Sequence, residues 1–266
     1  MNRENKVFNI VSIYTGKAAI VAIAYFLFGL LAIPFISNET LVPLIWPQAG
    51  LALAAVLLIG FEALPGVFVG AFTLALTTGV AADLSAIVAA GICLAAFFPA
   101  YFLLMKNNFS YTLENISSIL KLVLLGVVIS PMLSATISLL GMQLVGIPSD
   151  ESFLTMWGSR WLREALGTLI FTPLLIVWLG NSIPRFERQR MLEGALIIAS
   201  VVGLDALIFF GRINPETANS ITFFIIPIIL WASLRLLIHG LVLVNALASI
   251  LFFCGAAHQL GALFFG

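Results

Sequence analysis

With 266 residues, 62% of them hydrophobic and 9% charged, this chain lacks the roughly 25% of charged residues that clothe a soluble domain. A mean hydropathy of +1.15 predicts an all-α, polytopic membrane helix bundle. Twelve basic and twelve acidic residues cancel, and the two cysteines and two histidines show no zinc-like spacing, so neither a nucleic-acid surface nor a metal site is expected.

Nine apolar windows follow in chain order: 18–36, 47–61, 64–80, 84–105, 117–142, 153–179, 191–211, 220–235 and 238–256. They predict about nine transmembrane helices (eight to ten) in a single domain, 1–266, with 1–17 a short cytoplasmic segment. No internal repeat or polar linker divides the chain, and no effector domain is seen within it. Arg3, Lys6 and Lys17 precede the first window, which is too long for a signal-peptide core and reads as an uncleaved span. A cytoplasmic N-terminus places Lys106, Arg185, Arg188, Arg190 and Arg235 inside. It places Glu39, Asp83, Asp150, Glu151 and Glu216 outside, with Arg212 as the lone basic loop residue there. Nine crossings would leave Gly266 outside, so either one weak window does not cross or the chain stops before a final return helix.

The second window opens "LVPLIWPQAG" (41–50). Proline is preorganised for the first helical position and breaks a helix elsewhere, so the helix is expected to start at Pro47. About 14 residues give about 21 Å at helical rise, short of a hydrocarbon core of about 30 Å. Residues 41–46 are then expected as irregular backbone, tolerated at that depth only where protein or a wet cavity covers it. Trp46 and Gln48 read as interfacial residues or, alternatively, as the lining of such a cavity. In the third window Gly66 and Gly70 make a small-residue face for close helix packing.

The sixth window begins with charge. Trp157, Arg160, Trp161, Glu164 and Gly167 share one helical stripe, with Arg163 at its edge. One reading is two belt tryptophans and a solvated Arg160–Glu164 pair in the outer headgroups. Asp205, inside the seventh window at similar depth, supports the other: a polar cluster within the outer half of the bundle, with Asp205 paired to Arg160 or Arg163. Its four charges sum to zero and select no ligand charge. In the eighth window Pro227 is expected to kink the helix, Trp231 lies in its lower half, and Arg235 is expected to snorkel to headgroups. Cys93, Cys254, His239 and His258 stand alone among apolar residues.

Three stretches, in order, resemble one family. "LIWPQAGLALAAVLLIGFEALPGVFVGAF" is similar to the opening of the membrane-associated sensor (MASE) domain, type one. "RWLREALGTLIFTPLLIVW" is similar to its W-hydrophobic-x-(D/E)-A-L-G segment, with Arg163-Glu164 where the family often has Gly-Asp. "IIPIILWASLRLLIHG" is similar to its P-x-x-x-W-x-x-x-R helix. The resemblance implies signal input without catalysis or cofactor. It implies a bacterial inner-membrane setting and a cytoplasmic effector of histidine-kinase or diguanylate-cyclase type. The lipid bilayer, an unidentified small-molecule or protein signal, and a homodimer are the compatible partners. The sensing candidates are Trp46, Gln48, Trp157, Arg160, Trp161, Arg163, Glu164, Asp205, Trp231 and Arg235, and the charged stripe is either a sensory pocket or a structural polar lock. A small-molecule-binding subunit of a membrane transporter is the competing class. An intramembrane enzyme is disfavoured, because no H-E-x-x-H and no nucleophile–base pairing is present.

Overall fold

The computed structural model describes residues 3–32, 45–106, 109–148, 151–182, 187–210 and 215–257. Among these residues the secondary structure is helical throughout. The helices are α1 (Arg3–Leu31), α2 (Pro47–Ile59), α3 (Leu64–Thr77), α4 (Ala82–Tyr101), α5 (Ile116–Lys121), α6 (Ser130–Leu144), α7 (Phe153–Gly180), α8 (Arg188–Phe210), α9 (Pro215–Thr222), α10 (Ile225–Arg235) and α11 (Ile238–Ala257). A π-helical turn, Phe102–Lys106, extends α4, and another, Leu122–Ile129, joins α5 to α6.

All nine apolar windows hold helix, but they are not nine full-length spans. Among the described residues six helical stretches are long and apolar enough to cross a membrane, whereas Pro47–Ile59, Phe61–Thr77 and Ser220–Arg235 are shorter. Local breakers explain the difference. Pro47 starts α2, and Gly60 ends it at φ 93°, a left-handed conformation that suits glycine. A break at Phe223–Phe224 separates α9 from α10. The expected kink at Pro227 is thus a full interruption one turn earlier, where the Ile226 N–H bonds to the Phe223 carbonyl at 3.1 Å.

The chain forms two compact units. The first comprises 1–31, 46–110 and 115–172, and the second 32–45, 111–114 and 173–266, so α7 contributes to each. In the first, α2 is buried on nearly every side, from Pro47 and Gln48 through Gly50–Leu57, as expected for a helix apolar all round. It packs on α1 and α4, while α1 packs on α3, α3 on α4, and α4 on α6. Gly66 and Gly70 let α3 meet α1. A Cβ at Gly66 would lie 2.3 Å from the Ala18 carbonyl oxygen, and one at Gly70 2.7 Å from the Tyr25 Cβ.

Two polar contacts complete this unit. Pro99, inside α4, has no N–H for the carbonyl four residues earlier. That carbonyl, Ala95, accepts from Ser130 Oγ at 2.7 Å, so a hydroxyl from the α6 start replaces the missing helical bond. At the α2–α3 link the Lys17 ammonium lies 2.8 Å from Glu62 Oε2 and, by donating to it, holds the Glu62 carboxyl below its ordinary range.

In the second unit, α8 packs on α10 and α11, and α10 on α11, around Ile197, Val201, Ala232, Val244 and Ala248. Arg235, expected to reach for headgroups, is held by Glu193: its Nε donates to Oε2 at 3.1 Å, and a second nitrogen pairs with Oε1. The α10–α8 pairing supplies a carboxylate that a linear reading of the sequence does not place beside it. Trp178 Nε1 donates to the His239 carbonyl at 3.1 Å.

Candidate functional site

The first unit contains a polar cluster built where α2 begins. The chain reaches Trp46 in non-helical backbone (φ −113°, ψ 82°), and α2 starts at Pro47, as the proline pattern predicts; residues 41–44 of the expected irregular entry lie outside the described residues. The Trp46 N–H donates to the Arg163 carbonyl of α7 at 3.1 Å, which satisfies a backbone donor that no helix serves. The Trp46 carbonyl then lies against Gly167, where a Cβ would stand 2.0 Å from its oxygen. One turn on, a Cβ at Gly50 would be 2.6 Å from the Gly167 carbonyl oxygen, and Thr172 Oγ1 donates to the Gly50 carbonyl at 3.0 Å. Two glycines therefore let α2 and the Trp46 entry lie directly on the α7 backbone.

This contact sets the surroundings of Glu164. Glu164 is 3% exposed, and Arg160 Nε lies 3.0 Å from its Oε1. The separation is that of an ion pair, but the two atoms do not meet in aligned hydrogen-bond geometry. The solvated surface pair is therefore corrected: the i,i+4 partnership forms, but its carboxylate is inside the protein. Trp157 and Trp161 explain the roll of α7. Their rings stack with centroids 6.1 Å apart; Trp157 Nε1 donates to Thr136 Oγ1 at 2.9 Å, and Trp161 Nε1 to the Val128 carbonyl at 3.1 Å. Both indoles are tied to the π-helical turn and α6, and residues one turn further along the same stripe face inward.

Glu164, Trp46, Tyr25, Ser130 and Ser134 line a cavity of about 10 Å³, room for about one water molecule. Around and near it, Trp46 Nε1, Gln48 Oε1, Ser134 Oγ and Ser138 Oγ are buried without an aligned hydrogen bond, although Trp46 lies within reach of the Tyr25 phenol and Ser134 within reach of the Glu164 carboxylate. Gln48 itself is 1% exposed. A buried polar atom left wholly without a partner costs about 1–3 kcal/mol, and native interiors hold few of them. No group of three or more metal-ligating side chains occurs among the described residues.

The sequence candidates divide between the units. Trp46, Gln48, Arg160 and Glu164 belong to the cluster in the first, with Trp157 and Trp161 bracing it; Arg163 is half-buried and contributes its carbonyl. Asp205, Trp231 and Arg235 belong to the second unit. There Trp231 is 39% exposed, while Asp205 is 7% exposed and its Oδ2 has no hydrogen-bond partner among the described residues. Tyr25, 1% exposed, and the serines of α6 escaped the sequence reading. Ser130, Ser134 and Ser138 recur every four residues, a hydroxyl stripe on one helix face that was legible as a pattern.

These features define a class: a multi-pass helical membrane protein that keeps a charge pair and several buried polar groups inside its helices. The chain belongs to the MASE1 family, whose model matches residues 17–266. MASE1 is a family of membrane sensory domains. No curated protein and no solved structure matches the chain.

Proposed function

We propose that this chain is the input domain of a signalling protein of the bacterial plasma membrane, and that the cluster of Trp46, Gln48, Arg160 and Glu164 is where the input acts. The observation that carries this reading is the concentration of buried polar atoms without aligned hydrogen bonds around one buried charge pair. Groups held at a cost to stability mark places where function sets the residue choice. A stimulus that alters hydrogen bonding there would shift the balance between two arrangements of α2 against α7, and an effector of histidine-kinase or diguanylate-cyclase type would read that balance in the cytoplasm. The three short helices complete nine passes in this reading, with the N-terminus inside as the basic residues favour.

A structural lock is the second reading, favoured by the ion pair itself. Gln48→Leu separates the two. Gln48 Oε1 is unpartnered, so an apolar side chain of similar size should leave thermal stability unchanged or raised. With a diguanylate-cyclase catalytic domain fused after Gly266 through one added transmembrane helix, which returns the chain to the cytoplasm, the same substitution should change cyclase output by about fivefold, the effect of moving a two-state balance by about 1 kcal/mol. Unchanged output with lowered stability would make the cluster a lock.

Orientation has its own test. Single cysteines at Ser149 and Ser182 are expected to label oppositely with an impermeant thiol reagent in intact cells, Ser149→Cys reacting and Ser182→Cys not. The reverse pattern would overturn the topology.

A further inference from the structure

Asp205 sits five residues before the end of α8 at Phe210, about 7.5 Å along the helix, and is 7% exposed. It lines a cavity of about 230 Å³ within the second unit. The walls are mainly apolar, with Ile208, Ile225, Ile229 and Phe252 among them, and Asn245 and Ser249 add small polar groups. Among the described lining residues Asp205 is the sole charged side chain, and its Oδ2 is buried without a hydrogen-bond partner.

A carboxylate inside a membrane helix is costly, at least about 2.5–3.5 kcal/mol near the bilayer centre, unless a cation or donor meets it. The cavity has the make-up of a ligand site: mainly apolar walls, partly open, with a few polar groups that fix orientation. Its size suits a ring with a short tail, since an apolar cavity of about 150 Å³ already admits benzene.

We propose that this cavity binds a small amphipathic ammonium compound, with its apolar body among the isoleucines and Phe252 and its primary amine paired with Asp205. An ammonium restores charge balance and gives Oδ2 a charge-assisted hydrogen bond, whereas a neutral ligand of the same shape supplies only the apolar part. The inference goes beyond the sensory reading, because binding is measured without any effector and stands or falls independently of it.

The experiment uses the full chain in lipid nanodiscs, with 2-phenylethylamine as probe and 2-phenylethanol as its neutral analogue. Saturable amine binding above that of empty nanodiscs is expected, with the alcohol weaker by about tenfold or more, the value of a hydrogen bond to a charged group. Asp205→Asn should abolish that preference while sparing the alcohol, and Ser249→Leu, which fills the chamber, should weaken both. Arg212→Gln should leave amine binding unchanged. Thermal unfolding establishes that each variant is folded, and Ser249→Leu keeps the test decisive should Asp205→Asn fold poorly. No binding above empty nanodiscs, equal binding of amine and alcohol, a preference that survives Asp205→Asn, or a large gain in Arg212→Gln would each overturn the proposal.

Discussion

Gly167→Ala is expected to destabilise the first unit by about 3 kcal/mol or more, the upper end of overpacking costs. The added methyl would stand 2.0 Å from the Trp46 carbonyl oxygen and 2.6 Å from its carbon. These are backbone atoms, so no side-chain rotation relieves the clash. The Trp46–Pro47 entry must move away from α7, which breaks the Trp46 N–H bond to the Arg163 carbonyl and withdraws Trp46 from the wall it shares with Glu164. Gly158→Ala is the control on the same helix. Nothing lies within 4 Å of a Cβ there, and alanine's better helix propensity should raise stability by about 0.5–1 kcal/mol. Thermal unfolding of both variants in one detergent checks the sign reversal; two equal, small effects would show that α2 does not rest on α7 as described.

The second large effect concerns the charge pair, and it should be asymmetric. Glu164 has a side chain 4% exposed, against 23% for Arg160. Arg160→Met leaves a carboxylate enclosed without its cation and should cost about 3–5 kcal/mol. Glu164→Gln leaves a guanidinium that can extend toward the surface, as long basic side chains do, and should cost less. The Arg160→Met/Glu164→Gln double variant should cost less than the two single costs combined, since the penalty of each single variant is the stranded partner. A double-mutant cycle on thermal stability reads the coupling; additivity would mean that the pair does not interact.

Much of this arrangement was legible in the sequence because it depends on local chemistry. Pro47 marked the start of α2 because proline removes a donor and fixes φ. The spacing of Arg160 and Glu164 put them on one face, and Gly66 and Gly70 marked a close crossing. What stayed hidden is tertiary. The i,i+4 spacing holds equally for a solvated pair and a buried one, and only the anchoring of Trp157 and Trp161 to Thr136 and Val128 turns Glu164 inward. Gly167 lay in a recognisable segment, yet its neighbour is Trp46, more than a hundred residues away in the chain. Tyr25 is a single phenol in an apolar run and carries no pattern of its own. Averaging hydropathy along a window also does not register the break at Phe223–Phe224, which separates α9 from α10.

An effector that reads the state of the Arg160–Glu164 pair should report it through the output of a cyclase fused after Gly266 by way of the same added transmembrane helix. Wild type, Arg160→Met, Glu164→Gln and the double variant are compared, with cyclase activity normalised to the amount of folded protein. Each single variant is predicted to shift output per folded molecule by about fivefold or more, a balance moved by at least about 1 kcal/mol. The double variant is predicted to depart from the product of the two single effects, because both act on one interaction. Output per folded molecule that stays constant across all four proteins, while their stabilities differ as described, would contradict the claim and leave the pair a structural element alone.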